Sequence, residues 1–560
     1  MQIVIPMSGF GERFRRAGYT VPKPLIKIDD KPIIEHVIDM FPGETNFIFI
    51  CNQEHLGHAD YNMAKILKNY CPTGKVIEVP SHNLGPVHAV QQVSSELNMD
   101  EPVVVNYCDF TCYWDWHDFK KFVAKCKCEG AIPSYKGFHP HTLGNTNYAY
   151  MKEDSGWVLD IQEKQPFTEN RMEEYASSGT YYFSSARVMV DAFDKVKKSD
   201  LNVNGEYYVS LAYKPMLAEG KPISVYPLQH FMQWGTPQDV AEYNGWSNAF
   251  RRMSVTPEKE ANPIGSIVIP MAGLGQRFRR EGYKITKPLI PVAGMPMVQK
   301  AANYLPRAKQ HSFVLRQDMI GFDAISKEIK WHYDCVSLKV ISEITEGQAC
   351  TAQIGLEALK KDSSSDGVEE PITFGACDNG AIFDQDAFAA LVKEKNVDVI
   401  VWGVRGHANA VRHPEMFGWI NADDDGVIKG ISVKNSLSDP ENDPIVIGTF
   451  TFISLKAFES SINRLFERDG RINGEFYLDS CVNDAIELGL NCYLFEVDHF
   501  LSWGTPNDLK TFEYWQSCFH KWNAHPYKLE NDNSIPKVFV EDLKKRFEKI
   551  APKGLEPKND

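Results

Sequence analysis

An α/β fold, built twice in tandem around mainly parallel central sheets, is what this sequence predicts. Three observations lead there: the size of the chain, a long internal repeat, and the alternation of strand-like and helix-like segments. The chain has 560 residues, 43% hydrophobic and 24% charged. That is too long for one compact core and ordinary for a globular protein. Residues 3–26 read IVIPMSGFGERFRRAGYTVPKPLI, and residues 267–290 read IVIPMAGLGQRFRREGYKITKPLI, with 17 of 24 positions identical at an offset of 264. Later landmarks recur at an offset of 269: Cys108-Asp109 with Cys377-Asp378, Gly179-Thr180 with Gly448-Thr449, Asn204-Gly205-Glu206 with Asn473-Gly474-Glu475, and Trp234-Gly235-Thr236-Pro237 with Trp503-Gly504-Thr505-Pro506. A period of this length is a whole domain rather than a solenoid unit. The offset grows across Asp362-Ser363-Ser364-Ser365-Asp366-Gly367, whose composition belongs in a surface loop.

The repeat sets the expected organisation: a first domain over 1–253, a linker over 254–265, a second domain over 266–525 and a tail over 526–560. The linker carries Pro257-Glu258-Lys259-Glu260-Ala261-Asn262-Pro263. In the tail, Val538–Ile550 has the spacing of a short amphipathic helix, and the Lys/Pro/Gly/Asp-rich end is expected to be mobile. Within the first copy, Ile3-Val4-Ile5 reads as a strand leading into a glycine-rich turn. A helix near 32–41, a strand over Phe47–Ile50, a helix over Val87–Leu97 and a strand over Pro102–Asn106 follow. Sheets of this kind bind ligands at the carboxyl ends of their strands, where the glycine-rich loop falls.

A net charge of −14 disfavours a broad basic surface for nucleic acid but leaves room for a local phosphate pocket. Twelve cysteines are sparse in this length, contain no CxxC, and come closest at Cys126 and Cys128. Met1 runs straight into the first strand, without a basic leader or a bilayer-spanning apolar stretch. Reduced thiols, a cytoplasmic location and no membrane partner are the resulting expectations.

The chemistry-bearing motifs occur in pairs. The first is Gly9-x-Gly11-x-Arg13 followed by Lys23-Pro24, twinned by Gly273-x-Gly275-x-Arg277 with Lys287-Pro288. Glycines let backbone N–H groups approach a polyphosphate, and the Arg and Lys add fixed positive charge. The loop lacks the Gly-Lys-Ser/Thr of a Walker A motif, and Phe14 and Phe278 stand where a dinucleotide fingerprint needs its third glycine. The second is an Asp after a buried strand, Asp109 and Asp378. It is placed to hold a divalent cation with phosphate oxygens and waters, or to cap the next turn. The third is Glu163-Lys164, whose counterpart is Val433-Lys434. A Val cannot accept the hydrogen bonds that a carboxylate accepts.

These motifs resemble the sugar-1-phosphate nucleotidyltransferases (nucleoside-diphosphate-sugar pyrophosphorylases), over roughly 1–250 and 265–515. The resemblance implies two tandem Rossmann-like domains of the type A glycosyltransferase kind. It implies the reaction of an NTP with a sugar 1-phosphate or related phosphate monoester, giving an NDP-sugar and pyrophosphate. It assigns Arg13 and Arg277 to the triphosphate and Lys23 and Lys287 to the α-phosphate and leaving group. Asp109 and Asp378 become ligands of Mg²⁺ or Mn²⁺. Nucleotide binding falls to Gly9, Gly11, Gly273 and Gly275, and to Gly85 and Gly347 beside the base. Substrate binding falls to Glu163, Lys164, Gly179 and Glu206, and to Lys434, Gly448 and Glu475. The better-known hexose members carry a second metal Asp before a late Gly-Thr, where this chain has Gln233-Trp234 and Ser502-Trp503. Asp239 and Asp508 follow that Gly-Thr, in a setting that reads as the first turn of a helix.

The expected partners are an NTP and a phosphorylated small molecule, with homo-oligomer formation left open. Surface-glycan precursors, such as those of a capsule polysaccharide, are the expected product class. Two alternatives stand beside this reading. One repeat could be a nucleotide-sugar-sensing pseudoenzyme, with repeat 2 the candidate because of Val433. A type A glycosyltransferase would use a DxD-type motif, and Asp423-Asp424-Asp425 fits only superficially because it reads as a hairpin turn.

Overall fold

The computed structural model describes residues 1–144, 146–255, 261–362 and 370–550. The expected linker positions 256–260, the insert positions 363–367 and the chain end 551–560 lie outside the described residues. The chain forms two compact units, Met1–Ser247 with residues from Lys544 onward, and Asn248–Leu543. The division falls inside the helix Pro237–Met253, ahead of the expected linker. Its physical basis is Phe250, fully buried within the second unit against Phe512, Phe519 and Tyr527. Part of the expected tail is likewise built into the second unit: Lys300 Nζ donates to Ser534 Oγ at 2.7 Å, and Tyr527 OH donates to Asp532 at 2.8 Å. The helix expected at 538–550 spans Lys537–Ile550.

Among the described residues the first unit holds a ten-stranded sheet. Its order is Tyr175–Ser177, Ala149–Asp154, Trp157–Glu163, Ile223–Pro227, Gly130–Tyr135, Thr180–Phe183, Val103–Asn106, Gln2–Met7, Phe47–Asn52, Lys75–Val79. The half containing Gln2–Met7 is parallel, as its continuous apolar strands require when both faces are covered. The sheet as a whole is mixed, which corrects the expectation of a mainly parallel one. Thr180–Phe183 inserts antiparallel between Val103–Asn106 and Gly130–Tyr135. Ala149–Asp154 and Trp157–Glu163 are joined by only Ser155-Gly156, both at positive φ. A two-residue connection permits only an antiparallel hairpin.

The second unit repeats the path. Val336–Ile341, Gln310–Arg316, Ser266–Pro270, Ile372–Phe374, Ile445–Phe452, Val399–Val404 and Cys492–Glu496 follow the order of their seven counterparts. A hairpin of Gly418–Ala422 and Ile428–Val433 corresponds to the hairpin that carries Glu163. Asp423-Asp424-Asp425 lies in the turn between these two strands: Asp423 Oδ1 accepts from Val427 N at 2.9 Å, and Lys429 pairs with Asp423 Oδ2 at 2.8 Å.

Helix boundaries moved where local chemistry opposed the periodicity. The helix expected over 87–97 covers Pro86–Gln92 and gives way to a single 3₁₀ turn at Ser94–Glu96. Val93 leaves the helical region at φ −113°, in keeping with the low helix propensity of a β-branched residue followed by two serines.

Candidate active site

The opening strand of each copy ends at the glycine loop. Gly11 and Gly275 are left-handed, at φ 67° and 62°, and each precedes a short helix carrying Arg13 or Arg277. A Cβ on Gly11 would lie 3.8 Å from Lys23 Cβ, and one on Gly275 would lie 3.0 Å from Lys287 Cβ. The glycines thus supply the backbone conformation and let the Lys-Pro turn close over the loop. Nothing lies within 4 Å of where a Cβ on Gly9 or Gly273 would point.

In the first unit the carboxyl ends of the strands enclose a cavity of about 540 Å³. Gly9, Gly11, Arg13, Lys23, Gly85, Asp109, Glu163, Lys164, Gly179 and Glu206 all line it. Every sequence-derived candidate of the first copy is therefore brought to one wall or another of a single cavity.

Lys23 Nζ pairs with Asp109 Oδ2 at 2.8 Å. Burial alone would lower the Lys23 pKa, but the charge of Asp109 holds it above the ordinary lysine value. The second unit repeats the pair as Lys287 with Asp378, with the same balance. Lys164 and Lys434 both adopt left-handed backbone, at φ 60° and 64°, a strained conformation kept in both copies. Lys164 Nζ donates to Tyr208 OH at 2.5 Å, and Tyr208 OH donates to Glu206. Ser210 Oγ donates to Glu163 Oε2 at 2.5 Å. Burial raises the Glu163 carboxyl to about 7, against the opposing pull of that hydrogen bond and of Lys164.

Gly85 caps the helix Pro86–Gln92, and Gly347 immediately precedes the helix Gln348–Asp362. Both have positive φ, at 82° and 135°. A Cβ on Gly85 would lie 2.8 Å from Tyr207 N, and one on Gly347 would lie 2.5 Å from Phe476 N. Gly179 and Gly448 are also at positive φ, at 98° and 79°; Gly179 stands just before the central antiparallel strand Thr180–Phe183, and Gly448 lies within its counterpart Ile445–Phe452. Glu475 sits on the second copy's Asn-Gly-Glu turn, as Glu206 does on the first, in an isolated bridge with Ile472.

Asp239 and Asp508 occupy the first turns of Pro237–Met253 and Pro506–Lys521. Thr236 N donates to Asp239 Oδ2 at 2.9 Å, and Thr505 forms a full capping box with Asp508. Gly235 lies between two carboxylates: a Cβ there would be 3.4 Å from Asp109 Oδ2 and 3.8 Å from Asp239 Oδ2. Among the described residues no group of three His, Cys, Asp or Glu could hold a metal without other ligands. One or two carboxylates facing a phosphate-sized cavity do match Mg²⁺, which takes its remaining oxygens from phosphates and water. Asp109, which lines the first cavity, is a hard oxygen donor of the kind that ion takes.

Sequence reasoning missed Ser210, and it gave Tyr208 no role. Both lie downstream of the Asn-Gly-Glu landmark, so that repeated turn was the available signal. A lone Ser and a pair of tyrosines carry no pattern of their own.

The cavity, its cations and the duplicated glycine loops define a phosphate-handling site on a mixed α/β sheet. Residues 3–235 match the profile of the nucleotidyl transferase family. The chain is similar to the bifunctional protein GlmU of Methanocaldococcus jannaschii, 23% identical over 244 residues, which are 44% of this chain and 53% of that one. It is similar to the mannose-1-phosphate guanylyltransferase catalytic subunit beta of Danio rerio, 26% identical over 291 residues, which are 49% of this chain and 73% of the relative. The chain spans about half the length of the GlmU relatives it matches. A solved nucleoside-diphosphate-sugar pyrophosphorylase from Vibrio cholerae is 20% identical, covering 44% of this chain and 98% of the other at a TM-score of 0.37.

Proposed function

We propose that the first domain transfers a nucleotidyl group from an NTP to a sugar 1-phosphate, or a related phosphate monoester, releasing pyrophosphate. The observation that carries this reading is the convergence of Arg13, Lys23, Asp109, Glu163, Lys164 and Glu206 on one cavity. The nucleophile is a phosphate monoester oxygen, already anionic at neutral pH, so no general base is needed. It forms a bond to the α-phosphorus while the α–β phosphoanhydride bond breaks and pyrophosphate departs. The barrier is the approach of like charges. Arg13 and Lys23 lower it by holding the triphosphate and by stabilising charge at the reacting phosphorus. Glu163, Glu206 and Tyr208 supply acceptors for the hydroxyls of the second substrate, with Lys164 beside its phosphate. A divalent cation on Asp109 would neutralise phosphate charge in the same place.

The second domain repeats five of these six residues, as Arg277, Lys287, Asp378, Lys434 and Glu475, with Val433 in place of Glu163, which supports the same chemistry there on a tandem Rossmann-like pair. A cytoplasmic place and a product destined for surface glycans, such as capsule, belong to this reading. Among the described residues no helix is long and apolar enough to cross a membrane.

The test is a matrix of five NTPs against sugar 1-phosphates and non-sugar phosphate monoesters, read as pyrophosphate release in chains disabled by Lys23→Ala or Lys287→Ala. Release from each single variant supports two sites. Absence of release from the Lys287→Ala chain with every pair would overturn the assignment of the first domain.

A further inference from the structure

The two acceptor pockets differ at three positions that are coupled in space. In the first unit Glu163 lies directly across the hairpin from Ala149, and Ser210 donates to it. In the second unit the same cross-strand pair is Val433 with Gly418. The position of Ser210, counted from the Asn-Gly-Glu turn, is taken by Asp479. Thus Glu becomes Val on one wall, while Ser becomes Asp on the facing wall. The third change makes room: a methyl group on Gly418 would overlap Asp479 Oδ2. A carboxylate is removed from the strand, one appears on the facing helix Leu478–Glu487, and the residue beneath loses its side chain.

We propose that Asp479 is the acceptor-recognising carboxylate of the second domain, taking the place that Glu163 holds in the first. It would bind a hydroxyl-bearing phosphate monoester different from the one the first domain takes. The inference rests on the nucleotidyltransferase reading of the second domain. It stands against the alternative in which Val433 marks the second repeat as a pseudoenzyme.

The surroundings support a ligand contact over helix capping alone. A charge in a helix's first turn is favoured when ionised, whereas burial raises the Asp479 carboxyl to about 6, so its site opposes the ion. Lys434, Arg277 and Glu475 all act electrostatically at this place. Among the described residues Lys434 does not close an ion pair with Asp479; its Nζ donates to the Met416 carbonyl at 2.6 Å and stands 5.9 Å over the Tyr477 ring. An acceptor and a cation that attract each other without closing a direct ion pair suit a ligand carrying both hydroxyl donors and a phosphate. Asp479 is one methylene shorter than Glu163 and comes from the other wall, so the bound hydroxyl must differ in position.

The experiment uses the full chain carrying Lys23→Ala, so that turnover reports the second domain. Asp479→Asn, which preserves shape, is compared with its parent on glucose 1-phosphate, mannose 1-phosphate, glycerol 3-phosphate and methyl phosphate, the last having no hydroxyl to read. Preference for the best hydroxylated monoester over methyl phosphate, as a ratio of kcat/KM, should fall about tenfold or more, as expected for a lost hydrogen bond to a charged group. The affinity for NTP should hold. An unchanged ratio in an active Asp479→Asn chain overturns the assignment and leaves the enzyme reading intact. A Lys23→Ala chain that releases no pyrophosphate with any pair overturns the enzyme reading of the second domain and this assignment with it. The reciprocal triple variant Gly418→Ala/Val433→Glu/Asp479→Ser should shift preference toward the acceptor used by the first domain. A folded triple variant that keeps the parent's preference would also count against the assignment.

Discussion

Glu163→Gln, compared with the parent chain across pH, tests the electrostatics of the first pocket directly. Burial raises this carboxyl to about 7 from an ordinary 4.5, against the pull of Ser210 and Lys164 and with the push of Glu206. Tyr107, Tyr181 and Tyr208 face the same group. At about 1.36 kcal/mol for each pH unit, ionising Glu163 in the folded chain costs roughly 3 kcal/mol relative to the unfolded chain. The sign follows from proton binding. Between pH 4.5 and 7 the unfolded chain has lost this proton while the folded chain keeps it, so the parent's stability falls as pH rises. Gln cannot ionise, and the variant escapes that loss. The melting difference, variant minus parent, should therefore grow from pH 4.5 to pH 8 for the transition assigned to the first domain. For a domain of this size the gain is roughly 6–12 °C at the top of the range. Differential scanning calorimetry of both chains at matched pH measures it, since other titrating groups cancel in the comparison. A difference that stays flat, or that shrinks with rising pH, would refute the reasoning. The same variant should use a sugar 1-phosphate poorly, because an amide replaces a charged acceptor.

Other expectations follow from the same geometry. Lys23→Met should reduce first-domain pyrophosphate exchange by about a hundredfold or more, as for loss of one preorganised transition-state contact, and Lys287→Met should do the same to the second. Complete loss of all exchange from either single variant would contradict independent sites. Gly85→Ala and Gly347→Ala should each destabilise their own domain by about 1–3 kcal/mol, read by chemical denaturation, because both positions have positive φ and touch the backbone of Tyr207 or Phe476. A triple Asn replacement of Asp423, Asp424 and Asp425 should leave turnover and its metal dependence unchanged, since these residues close a hairpin; a rise in the metal requirement would revive a DxD role.

The opening repeat made the duplication, the phosphate loops and the Lys-Pro turns legible, because close approach and charge demand particular residues at fixed spacing. Gly11 and Lys23 are such a case: the turn's left-handed backbone favours glycine, and the catalytic candidate packs beside it. That Lys23 and Lys287 pair with Asp109 and Asp378 emerged only in space. Asp239 was readable as a helix-starting residue for a similar local reason. The mixed character of the sheet was less legible, since Thr180–Phe183 has the same apolar pattern whichever way it runs. Its direction depends on what it pairs with far along the chain.

What the sequence determined by itself was therefore local and repeated: two domains, two glycine loops, two basic pairs and the strand ends that carry them. Tertiary structure alone decided which wall of each pocket bears the carboxylate. Glu163 and Ser210 are 47 residues apart in the chain yet share a hydrogen bond. Read along the sequence, Val433 is a loss. Read in space, Asp479 brings a carboxylate from the facing helix against Gly418, the cross-strand partner of Val433, because a pocket is specified by where its side chains end rather than by where they begin.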